Sequence, residues 1–109
     1  MIKSDKGEKI FWKLAVVLLQ NPAVEEGKLM SSRCLRANGD FVAMVNQESQ
    51  QLVVKLNKQE VDRIIAEGIG EPYSLAGRVF KEWVEIKGFD AEQWQLLMNE
   101  AINMRLQTG

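Results

Sequence analysis

Histidine is absent from the 109 residues. Ser-His-Asp and Cys-His nucleophiles, imidazole acid–base chemistry and histidine metal ligation are therefore excluded together. Carboxylates, lysines, Tyr73 and Cys34 are what is left for catalysis. Glu25 and Glu26 are adjacent and diverge, and Glu82 and Glu85 fall on opposite faces of a regular strand, so neither couple makes an acid–base pair. Solvated surface charge accounts for all four. No loop of closely spaced Asp and Asn residues offers oxygen ligands to a metal. Gly68-Ile69-Gly70 follows a helical pattern rather than a strand, and Tyr73 stands where a dinucleotide fingerprint needs its third glycine, so this stretch reads as a helix C-cap and turn. Cys34 has no partner for a disulfide or a Cys-x-x-Cys motif; it reads as a small buried apolar residue in a protein of the reducing cytoplasm. The expectation is no enzyme, no cofactor and no metal.

The residue that stands out is Trp83, in the stretch GRVFKEWVEI at 77–86. Alternate side chains of a strand share a face, so Lys81, Trp83 and Glu85 point one way while Val84 and Ile86 point the other. Glu82 breaks the alternation on the face that carries Phe80 and Val84. A large aromatic between a lysine and a glutamate suits either a second buried layer or a surface that meets a partner.

The elements that position this stretch can be placed by period and punctuation. A helix begins after Asp5, with Glu8 at the capping-box position and Ile10, Phe11, Leu14, Val17 and Leu18 as its apolar stripe, and ends at Asn21-Pro22. Its apolar run, interrupted by Lys13, is well short of a membrane span. A strand over 29–36 leads to Asn38-Gly39, a two-residue hairpin signal, and returns over 41–45; a third strand covers 51–56. Asn57 caps a short helix with Glu60 at its third position and Val61, Ile64 and Ile65 inward, closed by Gly68. Residues 68–77 read as a loop, and strand signal resumes over 78–87 as one bent strand or two. Asp90 caps the last helix with Gln93 at the box position, Phe89 and Trp94 as a staple, and Trp94, Leu97, Met98 and Ala101 as its apolar face. At 46% hydrophobic and 27% charged, the chain has the composition of one folded domain.

In that order the segments CLRANGDFVAMV at 34–45, LVVKL at 52–56, IIAEGIGEPY at 64–73, GRVFKEWVEI at 77–86 and the closing Trp94, Leu97, Met98 and Ala101 resemble the TfoX N-terminal domain and YjbR (MmcQ/YjbR) superfamily of small bacterial proteins. The resemblance is strongest over 34–101. The TfoX-like branch carries a Met-Phe-Gly type stretch where this chain reads KLMSSRC, with Ser31 and Ser32. The resemblance implies a two-layer α+β domain with helices mainly on one face of an antiparallel sheet, and a regulatory or DNA-associated role in some members. It brings no catalytic residue set.

If helices cover one face, Leu52, Val54 and Leu56 point toward them, and Val53 and Lys55 share the opposite face with Lys81 and Trp83. Arg33 or Arg36 joins them, depending on register. Three occupants suit such a surface. A terminal segment could cover the ring, with the lysine stems lying along it. A protein partner or a second copy of the chain could take the tryptophan as an anchor. DNA could use cations and an aromatic together, although the net charge of −1 supplies no general positive field. The expectation is a cytoplasmic, non-membrane binding or regulatory module working through a protein interface, with DNA binding as the alternative.

Overall fold

The computed structural model describes residues 5–29 and 32–107. In chain order the elements are α1 (Lys6–Leu18), β1 (Val24–Leu29), β2 (Ser32–Ala37), β3 (Asp40–Val45), β4 (Leu52–Lys55), α2 (Lys58–Ala66), β5 (Gly70–Leu75), β6 (Arg78–Ile86) and α3 (Ala91–Gln107). The fold is α+β: among the described residues there are three helices and one antiparallel sheet of six strands in the order β1-β2-β3-β4-β6-β5. Two strands were not expected. β1 pairs along its whole length with β2, and β5 occupies the stretch read above as a loop. Met30 and Ser31, within the first expected strand, lie outside the described residues; Ser32 opens β2.

The hairpin at Asn38-Gly39 has positive φ at both central residues, 52° and 83°, as its two-residue turn requires. A second turn of the same kind, Ala76 at 53° and Gly77 at 80°, joins β5 to β6. Alanine is disfavoured there because its Cβ crowds the backbone, so the local sequence does not announce this hairpin.

Asn57 and Asp90 cap their helices as expected: Glu60 N donates to Asn57 Oδ1 at 2.9 Å, and Gln93 N to Asp90 Oδ1 at 3.2 Å. Phe89 and Trp94 meet with ring centroids 6.1 Å apart. α1 differs. Asp5 makes no side-chain cap; Glu8 N instead donates to Gln50 Oε1 at 2.9 Å, from the β3–β4 loop. Glu8's own carboxylate accepts from Trp12 Nε1 and Gln47 Nε2, both at 2.6 Å. An orphan N–H of the first turn is thus satisfied by tertiary structure rather than by its own cap. Val17, placed in the apolar stripe above, is 57% exposed; Gly7, Phe11 and Ala15 are the sealed residues of α1.

The helices lie on one side of the sheet. Phe11, Ile64, Trp94 and Met98 pack there with Leu35, Leu52, Val54, Val84 and Ile86. A second, smaller cluster of Cys34, Met44, Val53 and Tyr73, with Leu29, Phe41, Phe80 and Trp83 around it, is built among the described residues from strand residues and fills the other side.

Candidate partner-binding surface

Two slips in the hydrogen-bond ladder build this surface. Between β2 and β3, Leu35 faces Ala43 while Arg36 faces Phe41, which leaves Val42 as an extra residue. Val42 and Ala43 both enter the helix-side core, and Phe41 and Met44 point away from it. Between β5 and β6, Pro72 faces Val84 while the next residue, Tyr73, faces Phe80. Three residues of β6, Lys81, Glu82 and Trp83, are therefore extra on that side, and Phe80 joins Tyr73 and Trp83 on the helix-free face. This is the physical content of the broken alternation at Glu82.

The result is a set of rings centred on Trp83. Phe41 lies 4.4 Å from the indole at 29° and Phe80 lies 4.7 Å away at 19°, both stacked; Tyr73 is tilted at 5.5 Å. Two phenyl rings side by side on one indole face would collide at these distances, so Phe41 and Phe80 take opposite faces. Trp83, Phe41 and Phe80 stay half-buried while Tyr73 is sealed. Burial pushes the Tyr73 phenol up from its ordinary pKa, with the nearby Glu85 carboxylate adding to the shift.

The helix-free face is not flat. Six strands spaced by about 4.8 Å would set β1 and β5 about 24 Å apart in a flat sheet. Leu29 of β1 and Leu75 of β5 nevertheless line one hollow of about 310 Å³ together with Met44 and Tyr73. The sheet curls toward this side, and Tyr73 closes over Cys34, Met44 and Val53. Burial pushes the Cys34 thiol up against a smaller opposing effect of Arg36. Glu85, on the same face opposite Val53, is also sealed. It accepts from Asn46 Nδ2 at 2.9 Å and Ser49 Oγ at 2.7 Å, which ties the β3–β4 loop to β6 and leaves the carboxylate engaged.

Of the residues expected on this surface, Trp83, Lys55, Val53 and Arg36 share the face. Lys55 is the direct cross-strand neighbour of Trp83. Val53 is correctly placed but completely buried, so it serves the second core and cannot meet a partner. Arg36 sits beside Phe41 but lies back across β1, its Nη2 donating to Lys28 O at 3.0 Å. Gly27 makes that possible, since a Cβ there would stand 2.6 Å from Arg36 Nε. Arg33 does not belong to the surface. It turns to the α1 side, where its guanidinium lies 3.9 Å over the Trp12 ring and bonds Glu26 at 2.7 Å, holding the Glu26 carboxyl below its ordinary pKa.

Lys81 lines a groove of about 590 Å³ with Lys55, Lys58, Arg78, Val79, Phe80, Glu82 and Trp83. Arg78, which the sequence did not single out, stands 5.2 Å over the Phe80 ring. Lys58, also not singled out, enters from the start of α2 and pairs with Asp62 at 2.9 Å. Val79 is 56% exposed at the groove's edge. Arg78 was missed because it opens β6 at the β5–β6 hairpin, whose other strand was read as a loop, and Lys58 because it reaches the groove from the first residue of α2. Among the described residues, no helix is long and apolar enough to cross a membrane.

No family model, curated protein or solved structure matches this chain.

Proposed function

We propose that this chain is a non-catalytic, cytoplasmic binding or regulatory module that engages a partner protein through the helix-free side of its sheet. The observation that carries this reading is the half-buried ring set of Phe41, Trp83 and Phe80 on the face opposite the helix-side core. An aromatic anchor that is rigid before binding loses little freedom on association, the property that enriches tryptophan at interface hot spots. The non-catalytic part rests on the groups a catalyst would need. Cys34 is sealed, Glu85 is engaged by Asn46 and Ser49, and Glu82 stands alone among lysines and an arginine in the groove. Kinship with the TfoX N-terminal and YjbR-like proteins is part of the proposal and supports a regulatory role.

A second reading, DNA binding, has one observation in its favour: Lys55, Lys58, Arg78 and Lys81 line one groove. The deciding experiment is site-specific photo-crosslinking in the native cell, with benzoylphenylalanine at Lys81 and, as a control, at Leu96 on α3, which is 71% exposed. A discrete protein adduct from position 81 and none from position 96 is expected. Adducts from position 96 alone would move the interface to the helices and overturn the reading.

A further inference from the structure

Accepting that the helix-free side meets a protein, we infer the chemistry of that partner: an acidic, extended segment carrying apolar side chains, seated in the groove where the β5–β6 ladder slips. The groove holds four cations, Lys55, Lys58, Arg78 and Lys81, against one carboxylate, Glu82. Once Asp62, the partner of Lys58, is counted with Glu82, the local balance is 4 − 2 = +2 in a chain whose formal net charge is −1. Charge has been sorted to this place, and complementary charge sets which partner is admitted and how fast it arrives. Lys55, Arg78 and Lys81 form no ion pair among the described residues, and Lys58 has only its exposed pairing with Asp62.

The aromatic geometry separates an acidic peptide from single-stranded nucleic acid. A base binds such a surface by stacking on an open ring face. Phe41 and Phe80 already occupy both faces of the Trp83 indole, and Arg78 lies over the Phe80 ring. What the indole offers is its half-exposed edge. Its Nε1 makes no hydrogen bond among the described residues, so it is available to donate to a carboxylate or a main-chain carbonyl. Three successive β6 residues, Lys81, Glu82 and Trp83, are skipped by the pairing with β5; Glu82 O accepts from Leu56 N at 2.9 Å on the β4 side, which leaves the β5 side of Lys81 and Trp83 to an extended chain. Val79 at the edge, together with Phe80, provides the apolar footing.

The test is fluorescence anisotropy with a short fluorescein-labelled peptide of repeating Glu-Leu-Asp, its uncharged counterpart of repeating Gln-Leu-Asn, and oligodeoxythymidine as a third probe. The acidic peptide should bind at least roughly tenfold more tightly than the uncharged one. Its affinity should fall by roughly tenfold or more in the Arg78→Glu/Lys81→Glu double variant; both side chains are exposed, and an unchanged circular-dichroism melt certifies that variant. Equal binding of the two peptides, or no binding of the acidic peptide up to about 1 mM, overturns the inference. Tighter binding of oligodeoxythymidine than of the acidic peptide overturns it in favour of nucleic acid. A protein adduct at position 81 combined with charge-insensitive peptide binding would leave the helix-free interface standing and remove only its acidic partner.

Discussion

Truncating Trp83 to alanine tests the ring set directly, and the size of the loss can be worked out beforehand. Stacked aromatic pairs contribute about 0.5–1.5 kcal/mol each beyond the area they bury, so losing the Phe41 and Phe80 contacts costs about 1–3 kcal/mol. A second route starts from the roughly 3–5 kcal/mol lost when a sealed tryptophan becomes alanine. Trp83 is half-buried, and about half of that figure applies. Both routes centre on about 2 kcal/mol. For a domain of this size each kcal/mol moves the midpoint by roughly 4 °C, so Trp83→Ala should melt about 8 °C lower and still fold. Trp83→Phe, which keeps a flat ring between its neighbours, should lose less than half as much. Urea unfolding followed by circular dichroism is the appropriate assay, because Trp12 and Trp94 continue to fluoresce in the variant. A loss under about 0.5 kcal/mol, the level of an ordinary surface substitution, would show that the stack is not formed. A loss above about 4 kcal/mol would mark the indole as sealed core, and the surface argument would fail.

Other perturbations read other parts of the construction. Gly7→Ala drives a Cβ into the Gln50 carbonyl oxygen; the clash is with backbone, so α1 or the β3–β4 loop must shift, at a cost of about 2 kcal/mol or more in urea unfolding. Ala76→Asn gives the second turn the chemistry of Asn38-Gly39 and relieves an alanine at φ 53°; a gain of about 0.5–1 kcal/mol is expected, and a loss would refute the turn assignment. Burial, then the Glu60 carboxylate, hold the Glu100 carboxyl above its ordinary pKa, while Arg63 keeps Glu60 below its own. A carboxyl raised on folding disfavours the folded state once it ionises, so stability is full at acid pH and declines as pH rises through the raised value. Glu100→Gln should therefore be more stable than the parent at pH 7, by about 0.5 kcal/mol, with the difference closing toward acid; a difference that widens below pH 4 would contradict this sign.

Helix positions were legible because their signals are local. Asn57 with Glu60, and Asp90 with Gln93, are caps written within four residues, and Asn38-Gly39 carries its own backbone preference. β1 and β5 were illegible for complementary reasons. Val24–Leu29 reads VEEGKL, polar and without alternation, because it is an edge strand with one sealed residue. Gly70–Leu75 contains Pro72 and ends on Ala76-Gly77, so turn formers masked a strand that Phe80 and Val84 hold in place. The fate of Arg33 and Arg36 depended on which face each took, and strand register is a tertiary quantity: it places Arg36 beside Phe41 and sends Arg33 to Trp12.

The surface itself could not be read from alternation, because alternation is what it violates. Counting back from Met44, which points away from the helices, a regular β3 would turn Phe41 toward them; the extra Val42 reverses it. Counting back from Val84, which points toward the helices, a regular β6 would send Phe80 the same way; the three skipped residues reverse that too. Trp83 has a stacking partner on each side only because two independent slips reorient two phenylalanines onto its face. An irregularity in a ladder sacrifices pairing, and a fold with ample core elsewhere has no structural need to make that sacrifice twice around the same indole. The coincidence is what a site requires: aromatic groups held rigid, facing away from the helices, with three residues skipped by β5 beside them and cations at the rim.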